Sequence, residues 1–401
     1  MWVENQEAVY KLLKMWQEKG GLEPAKEIFW SFLNYDRVNQ PLFLAGDFSS
    51  ILAEEPLVFA ACGEFKIFYL RLAKDFLHLA DERKIIRKLL GNYPYSLFLF
   101  SNKAQNLWHL LNVRYTVSGE RARQRVFRRI TIGPEERLRI AAERISLLAV
   151  ENFEEDKISP LKLQQKCDEA FDVEAVTKAF FEGYKKVFQN LQSLLFEQTK
   201  DANWAHDYAL QLLNRLMFLY FIQRKKWLGG NAEFIRFFWD AYRESEQPKD
   251  TFFDNWLSVL FFEAFQYPKK FQAGREDYRR RFPEEIRRAL AMAPCLNGGL
   301  FASNELDSRY LFKVPDRFFE TLFDSFEGDH PGFFERYNFT VSEETPLDQE
   351  VAVDPEMIGK VYESLVNVTS EGIAEHDQQG EAGIFYTPPS GNRPDVSAES
   401  G

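Results

Sequence analysis

Apolar positions follow two rhythms along this chain. Val9, Leu12, Leu13 and Trp16 recur at helical spacing until Gly20-Gly21 interrupts them, so residues 1–45 are read as helical. From about residue 56 the texture shortens. Leu57 to Ala61 and Phe65 to Leu72 are compact apolar and aromatic runs that suit strands, whereas Asp75 to Leu90 returns to helical spacing. Asn92-Tyr93-Pro94-Tyr95 is a turn, and Ser96 to Phe100 and Leu107 to Tyr115 are two more strands. Arg125 to Thr131 reads as a further strand, closed by Gly133-Pro134.

Beyond Glu135 the rhythm is helical for some two hundred residues. Glu135 to Glu151 follows a proline suited to a first turn and carries Leu138, Ala141, Ala142, Ile145 and Leu148 on one face. Phe171 to Leu195 has a similar stripe. Ala205 to Leu228 is apolar on most sides, the mark of a helix at the centre of a bundle, and it stops at Gly229-Gly230. Ala232 to Arg243, Phe252 to Phe265 and Val314 to Phe326 suit further helices, with a turn at Leu296 to Phe301. The expected fold class is α+β and mostly α. A small α/β module over 1–145 precedes a helical connector over 146–345, a further unit begins over 346–389, and 390–401 is read as a disordered or aberrant tail.

Composition supports a folded protein. Of 401 residues 45% are hydrophobic and 39 are Phe, which excludes a chain disordered over most of its length. The longest unbroken apolar run, Leu216 to Ile222, is far short of the roughly 20 residues that span a bilayer. No membrane partner is expected. The N-terminus has no basic region or apolar core that would direct export, and Cys62, Cys167 and Cys295 are too scattered for a disulfide framework. The cytoplasm is the expected compartment.

The net charge of −11 excludes a uniformly basic nucleic-acid binder but leaves room for a local one. From Arg114 to Arg144 nine arginines stand against four glutamates, with no lysine. Guanidinium forks suit phosphates, so Arg125, Arg128 and Arg129 are candidates for contact with double-stranded DNA. The competing reading is an arginine face paired with acids elsewhere in the chain. Arg279-Arg280-Arg281 is a weaker cluster, broken by Glu284-Glu285. The five histidines are too dispersed to suggest a zinc site, and no GxxxxGK[ST], GxGxxG or GxSxG run occurs. Asp47, Glu64 and Lys66 have the order of a magnesium-dependent phosphodiesterase site: carboxylates to hold the metal and a lysine for the phosphate. With 28% charged residues, such an order also arises by chance.

The C-terminal stretch carries the most specific pattern. Asp354-Pro355-Glu356-Met357-Ile358-Gly359-Lys360-Val361-Tyr362-Glu363-Ser364-Leu365 is a capped amphipathic helix, followed by a polar linker and then Gly383-Ile384-Phe385-Tyr386-Thr387-Pro388. This resembles the region ahead of the catalytic core in adenine-specific DNA methyltransferases of combined restriction–modification enzymes, the type IIG kind and related phage-defence systems. There a helix of the form "hGxVYExLh" precedes a Gly-x-Phe/Tyr-Tyr-Thr-Pro segment, the motif numbered ten. Leu213 to Trp227, Leu296 to Phe301 and Phe339 to Asp348 resemble the same family, so the likeness covers about 205–389.

The resemblance implies that Phe385, Tyr386, Thr387 and Pro388 line the pocket for the methionine part of S-adenosylmethionine. It also implies methylation of adenine N6 by the complete enzyme. The departure from the family is large. Neither an acidic-Pro-x-x-Gly-x-Gly cofactor loop nor an (Asn/Asp)-Pro-Pro-(Tyr/Phe) loop for the flipped adenine occurs in the 401 residues. The chain is therefore expected to be inactive alone, as the N-terminal portion of such an enzyme, with a second chain as one possible source of the catalytic half. A non-enzymatic helical scaffold that binds DNA or a partner is the alternative. A magnesium-dependent nuclease module is the third reading, and only there is magnesium expected.

Overall fold

The computed structural model describes residues 2–44, 46, 48–118, 122–150, 158–266, 271–296, 299–324, 331–340, 348–353 and 359. Helix α1 (Trp2–Lys19) ends at Gly20 and Gly21, both in the left-handed region. A Cβ on Gly20 would lie 2.6 Å from the carbonyl oxygen of Gln105, and Gly21 N–H donates to that same oxygen at 3.1 Å, so this turn needs glycine. Helix α2 (Glu23–Glu27) runs on into a π-helical turn, Ile28–Phe32.

Seven strands then form one mixed sheet in sequential order: β1 (Asp36–Pro41), β2 (Leu57–Cys62), β3 (Phe65–Arg71), β4 (Ser96–Ser101), β5 (Trp108–Ser118), β6 (Ala122–Ile132) and β7 (Asp348–Glu350). Neighbours are antiparallel except β3–β4, joined through helix α3 (Leu79–Leu89), and β6–β7. The strands expected from apolar runs at 57–72, 96–115 and 125–131 are present within a few residues. The expectation of helix throughout 1–45 is corrected at β1, a polar and mostly exposed edge strand ending in Pro41. Its own side chains do not show a strand pattern; pairing with β2 imposes one.

Alternation along the strands loads both faces of the sheet. On one, Trp108, Leu110, Ile130 and Ile132 share a core with Val9, Leu13 and Trp16, and the Trp16 and Trp108 rings lie 4.9 Å apart. On the other, Phe68, Leu70, Phe98 and Phe100 meet Ile85, Ile86 and Leu89 of α3. Every residue of β4 is buried, as expected for a central strand covered on both sides.

The remainder is helical: α4 (Arg139–Ser146), α5 (Pro160–Ala170), α6 (Val173–Thr199), α7 (Ala202–Arg224), α8 (Phe234–Arg243), α9 (Glu276–Arg281), α10 (Glu284–Ala291), α11 (Glu305–Ser308) and α12 (Asp316–Phe323). The chain is thus α+β and mostly helical. Lys200 in the left-handed region and the Asp201 cap turn α6 back into α7, and α7 is buried almost all round, as its apolar run predicts. Phe252 to Phe265 departs from the expected regular helix, because it contains two π-helical turns, Phe253–Leu257 and Leu260–Ala264. Such turns add a residue per turn and re-aim the side chains that follow, here toward a core dense in Phe and Trp rings.

Candidate nucleic-acid interface

The arginine-rich stretch leaves the sheet at β5, returns on β6 and enters α4, and each element gives its arginines a different neighbourhood. Arg129 is buried on β6 and donates to Glu350 of β7 at 3.2 Å. Arg137 is buried against Glu335 at 3.0 Å, while Tyr220 O–H donates to the other oxygen of that carboxylate at 2.6 Å. Burial works against the Arg137 charge, but Glu335 outweighs it and raises the guanidinium pKa. Arg139 donates to Glu7 at 2.7 Å, and Arg144 reaches the carbonyls of Ala170 and Glu169. These four tie distant elements together.

Strand alternation separates the three candidates for DNA contact. Arg125 is paired across the ribbon with Tyr115, Arg128 with Asn112, and Arg129 with Leu111. Arg125 and Arg129 therefore point to the α3 side and Arg128 to the other. Arg125 is exposed, Arg128 half-buried and Arg129 buried. The Arg125 guanidinium lies 6.0 Å from the ring centroid of Tyr115, itself 44% exposed.

On the α3 side, Arg83 lies 5.6 Å from the Phe127 ring. Burial lowers its pKa first, and the like charges of Arg87 and Arg129 lower it further. Behind it, His109 Nδ1 and Glu82 Oε1 form a buried contact of 2.7 Å. On the opposite side, Asp168 accepts from Asn112 at 2.8 Å. Burial raises the Asp168 pKa, while the Asn112 hydrogen bond and the charge of Arg114 pull it down. Arg83, Arg87 and the Glu82–His109 pair were not singled out from sequence. The signal was there in part, since Arg83 and Arg87 stand four residues apart on an amphipathic helix.

Of the nuclease-like trio, Glu64 occupies the exposed hairpin turn between β2 and β3, and Lys66 Nζ donates to the carbonyl of Gly63 at 2.7 Å. Asp47 lies outside the described residues, as do Phe385, Tyr386, Thr387 and Pro388, and of the helix expected over 354–365 only Gly359 is described. Among the described residues no group of three or more His, Cys, Asp or Glu side chains is arranged to hold a metal ion.

One curated protein supplies a sequence relation. Over 183 residues the chain is 33% identical to the "Putative type II restriction enzyme and methyltransferase" of Methanocaldococcus jannaschii. The chain is related in sequence to a restriction–modification protein. The match covers 45% of this chain but 13% of that protein, so the likeness concerns a small part of the relative's length. No protein-family model matches the chain, and no solved structure matches it.

A concavity lies in the helical part. A cleft of about 590 Å³ is lined by Trp239, Tyr242, Arg243, Lys249, Asp316 and Arg317, among others. Tyr242 O–H donates to Asp316 at 2.8 Å, and the Asp250 amide donates to the same oxygen at 2.8 Å. Charges of both signs line this cleft, so it presents no field of one sign to a ligand. No helix among the described residues is long and apolar enough to cross a membrane.

Proposed function

We propose that this chain is the portion of a restriction–modification DNA adenine-N6 methyltransferase that lies ahead of its catalytic core. The observation that carries this reading is the 33% identity over 183 residues to a protein described as a restriction enzyme and methyltransferase. The run from the Gly359–Leu365 segment to Phe385-Tyr386-Thr387-Pro388 also supports it, by its likeness to the region preceding the cofactor pocket. In this reading S-adenosylmethionine is the methyl donor, and Phe385, Tyr386, Thr387 and Pro388 contact its methionine part. Double-stranded DNA is the partner, approached through the arginine-rich stretch. Methyl transfer needs a group that stacks on the extruded adenine and accepts from its amino group, and the 401 residues contain no (Asn/Asp)-Pro-Pro-(Tyr/Phe) loop to supply one.

Two measurements test the reading. Incubated with radiolabelled S-adenosylmethionine and duplex DNA, the isolated chain should leave the DNA unlabelled. Incorporation above a no-protein blank would show that it carries a catalytic centre of its own. A gel shift on a mixed-sequence duplex should give salt-sensitive retardation, and the absence of any shift at low salt would remove DNA as the partner.

A further inference from the structure

Strands β5 and β6 are 11 residues each, far longer than their neighbours. Strand β4 pairs with β5 only from Trp108 to Asn112, and β7 pairs with β6 only from Phe127 to Arg129. The registers from Arg114↔Val126 to Ser118↔Ala122 therefore run past both flanking strands as a two-stranded ribbon. At about 3.4 Å per residue this ribbon projects by roughly 17 Å. Residues 114–118 and 122–126 include Arg114, Arg123 and Arg125 and no acidic residue, and Glu120 and Arg121 between them cancel, on a chain whose net charge is −11. Arg114 and Arg125 are exposed, and cross-strand pairing with Val126 and Tyr115 places them on opposite faces.

We propose that this ribbon is an arm that enters a groove of duplex DNA and sets Arg114 and Arg125 on the phosphates beside it. The major groove, about 12 Å wide, admits a two-stranded ribbon. The ribbon's unflanked edges present backbone N–H groups, which donate to phosphate oxygens as arginines do. The Arg125 guanidinium lies 6.0 Å from the Tyr115 ring centroid, and an aromatic neighbour of this kind leaves its N–H donors for phosphate oxygens. Pairing of the same edges with a second copy would bring like-charged arginines together and is disfavoured. The inference rests on the reading of DNA as partner, and it assigns direct contact to the ribbon and a structural role to the buried Arg129.

The test uses the full 401-residue chain, a fluorescein-labelled mixed-sequence duplex of about 30 base pairs and anisotropy titrations over a range of salt. The double variant R114A/R125A should bind about tenfold more weakly, with the slope of log K against log salt reduced by roughly 2, near 0.9 for each phosphate no longer neutralised. R125K should keep most of the slope, and the distant R280A should keep all of it. Duplex DNA should also slow tryptic cleavage after Arg114 and Arg125 in the unsubstituted chain, a readout that requires no variant to fold. Binding by the unsubstituted chain with unchanged slope in R114A/R125A, or unprotected cleavage, would overturn the arm while leaving DNA as partner. No binding at all would defeat the underlying reading instead. A change in the variant's solution mass with intact DNA affinity would identify the ribbon as a contact between copies and would also overturn the proposal.

Discussion

Arg215 is fully buried on the central helix, and its guanidinium donates to Asp307 at 2.6 and 2.9 Å and to the carbonyl of Leu300 at 2.6 Å. The fork thus closes the turn at 299–302 and the short helix α11 onto α7. Removing one partner of such a pair strands the other charge in a medium that solvates it poorly, so Arg215→Ala should cost about 3–5 kcal/mol. Urea unfolding of the variant measures this. A loss under about 1 kcal/mol would mean that Asp307 regains water. Buried tyrosines make a second claim at this scale. Burial, then Glu143, pushes the Tyr337 hydroxyl up to about 12, with Arg336 pulling the other way. Tyr35, Tyr184, Tyr208 and Tyr220 are raised too, each chiefly by burial. Unfolded tyrosine ionises near about 10, so from there upward the unfolded chain sheds protons that the folded chain keeps. Their contribution is intact below about pH 10 and lost as pH rises toward 12. Urea midpoints should fall steeply over that window, and a flat profile would contradict the burial of these hydroxyls.

Strand β7 shows how an element can exist without a signal of its own. Its three residues, Asp-Gln-Glu, have low strand propensity and no apolar alternation. It is held by pairing with β6, by the Arg129–Glu350 ion pair and by the amide of Val351 donating to the Arg129 carbonyl at 2.9 Å. Arg129→Ala should therefore release the strand, with destabilisation of about 3 kcal/mol or more and faster amide hydrogen exchange at Val351 and Val353. Unchanged exchange would show that backbone pairing alone holds β7. The edge strand β1 is similar, polar and imposed by β2. The strands at 57–72 and 96–115 were legible because their own runs of Phe, Leu, Ile and Val demand burial on a sheet. The charged strand β6 was legible only in its middle, since arginines at 125, 128 and 129 have the same letter but do not all face the same way.

At the scale of the whole molecule, one apolar core runs from Val9 in α1 through the sheet and α7 to Val353. The Trp16–Trp108 contact lies at its sheet end, and Trp204, Trp239 and Trp256 lie in the helical part. Continuity of that kind predicts one cooperative unfolding event, seen at the same urea concentration by far-UV circular dichroism and by tryptophan fluorescence. Two separated transitions would show that the sheet and the helices unfold independently.

Hydrophobic periodicity by itself determined the α+β class, the apolar strands of the sheet and the central place of α7, because burial of apolar surface is demanded residue by residue. The motif run near the C-terminus likewise carries a resemblance to restriction–modification proteins in sequence alone. Only the tertiary structure decided what the arginines do. A guanidinium is equally at home on a buried carboxylate and on a phosphate, and which it meets depends on strand register and on chain hundreds of residues away. Glu335 and Glu350 claim Arg137 and Arg129, while the lengths of β5 and β6 carry Arg114 and Arg125 out beyond the sheet.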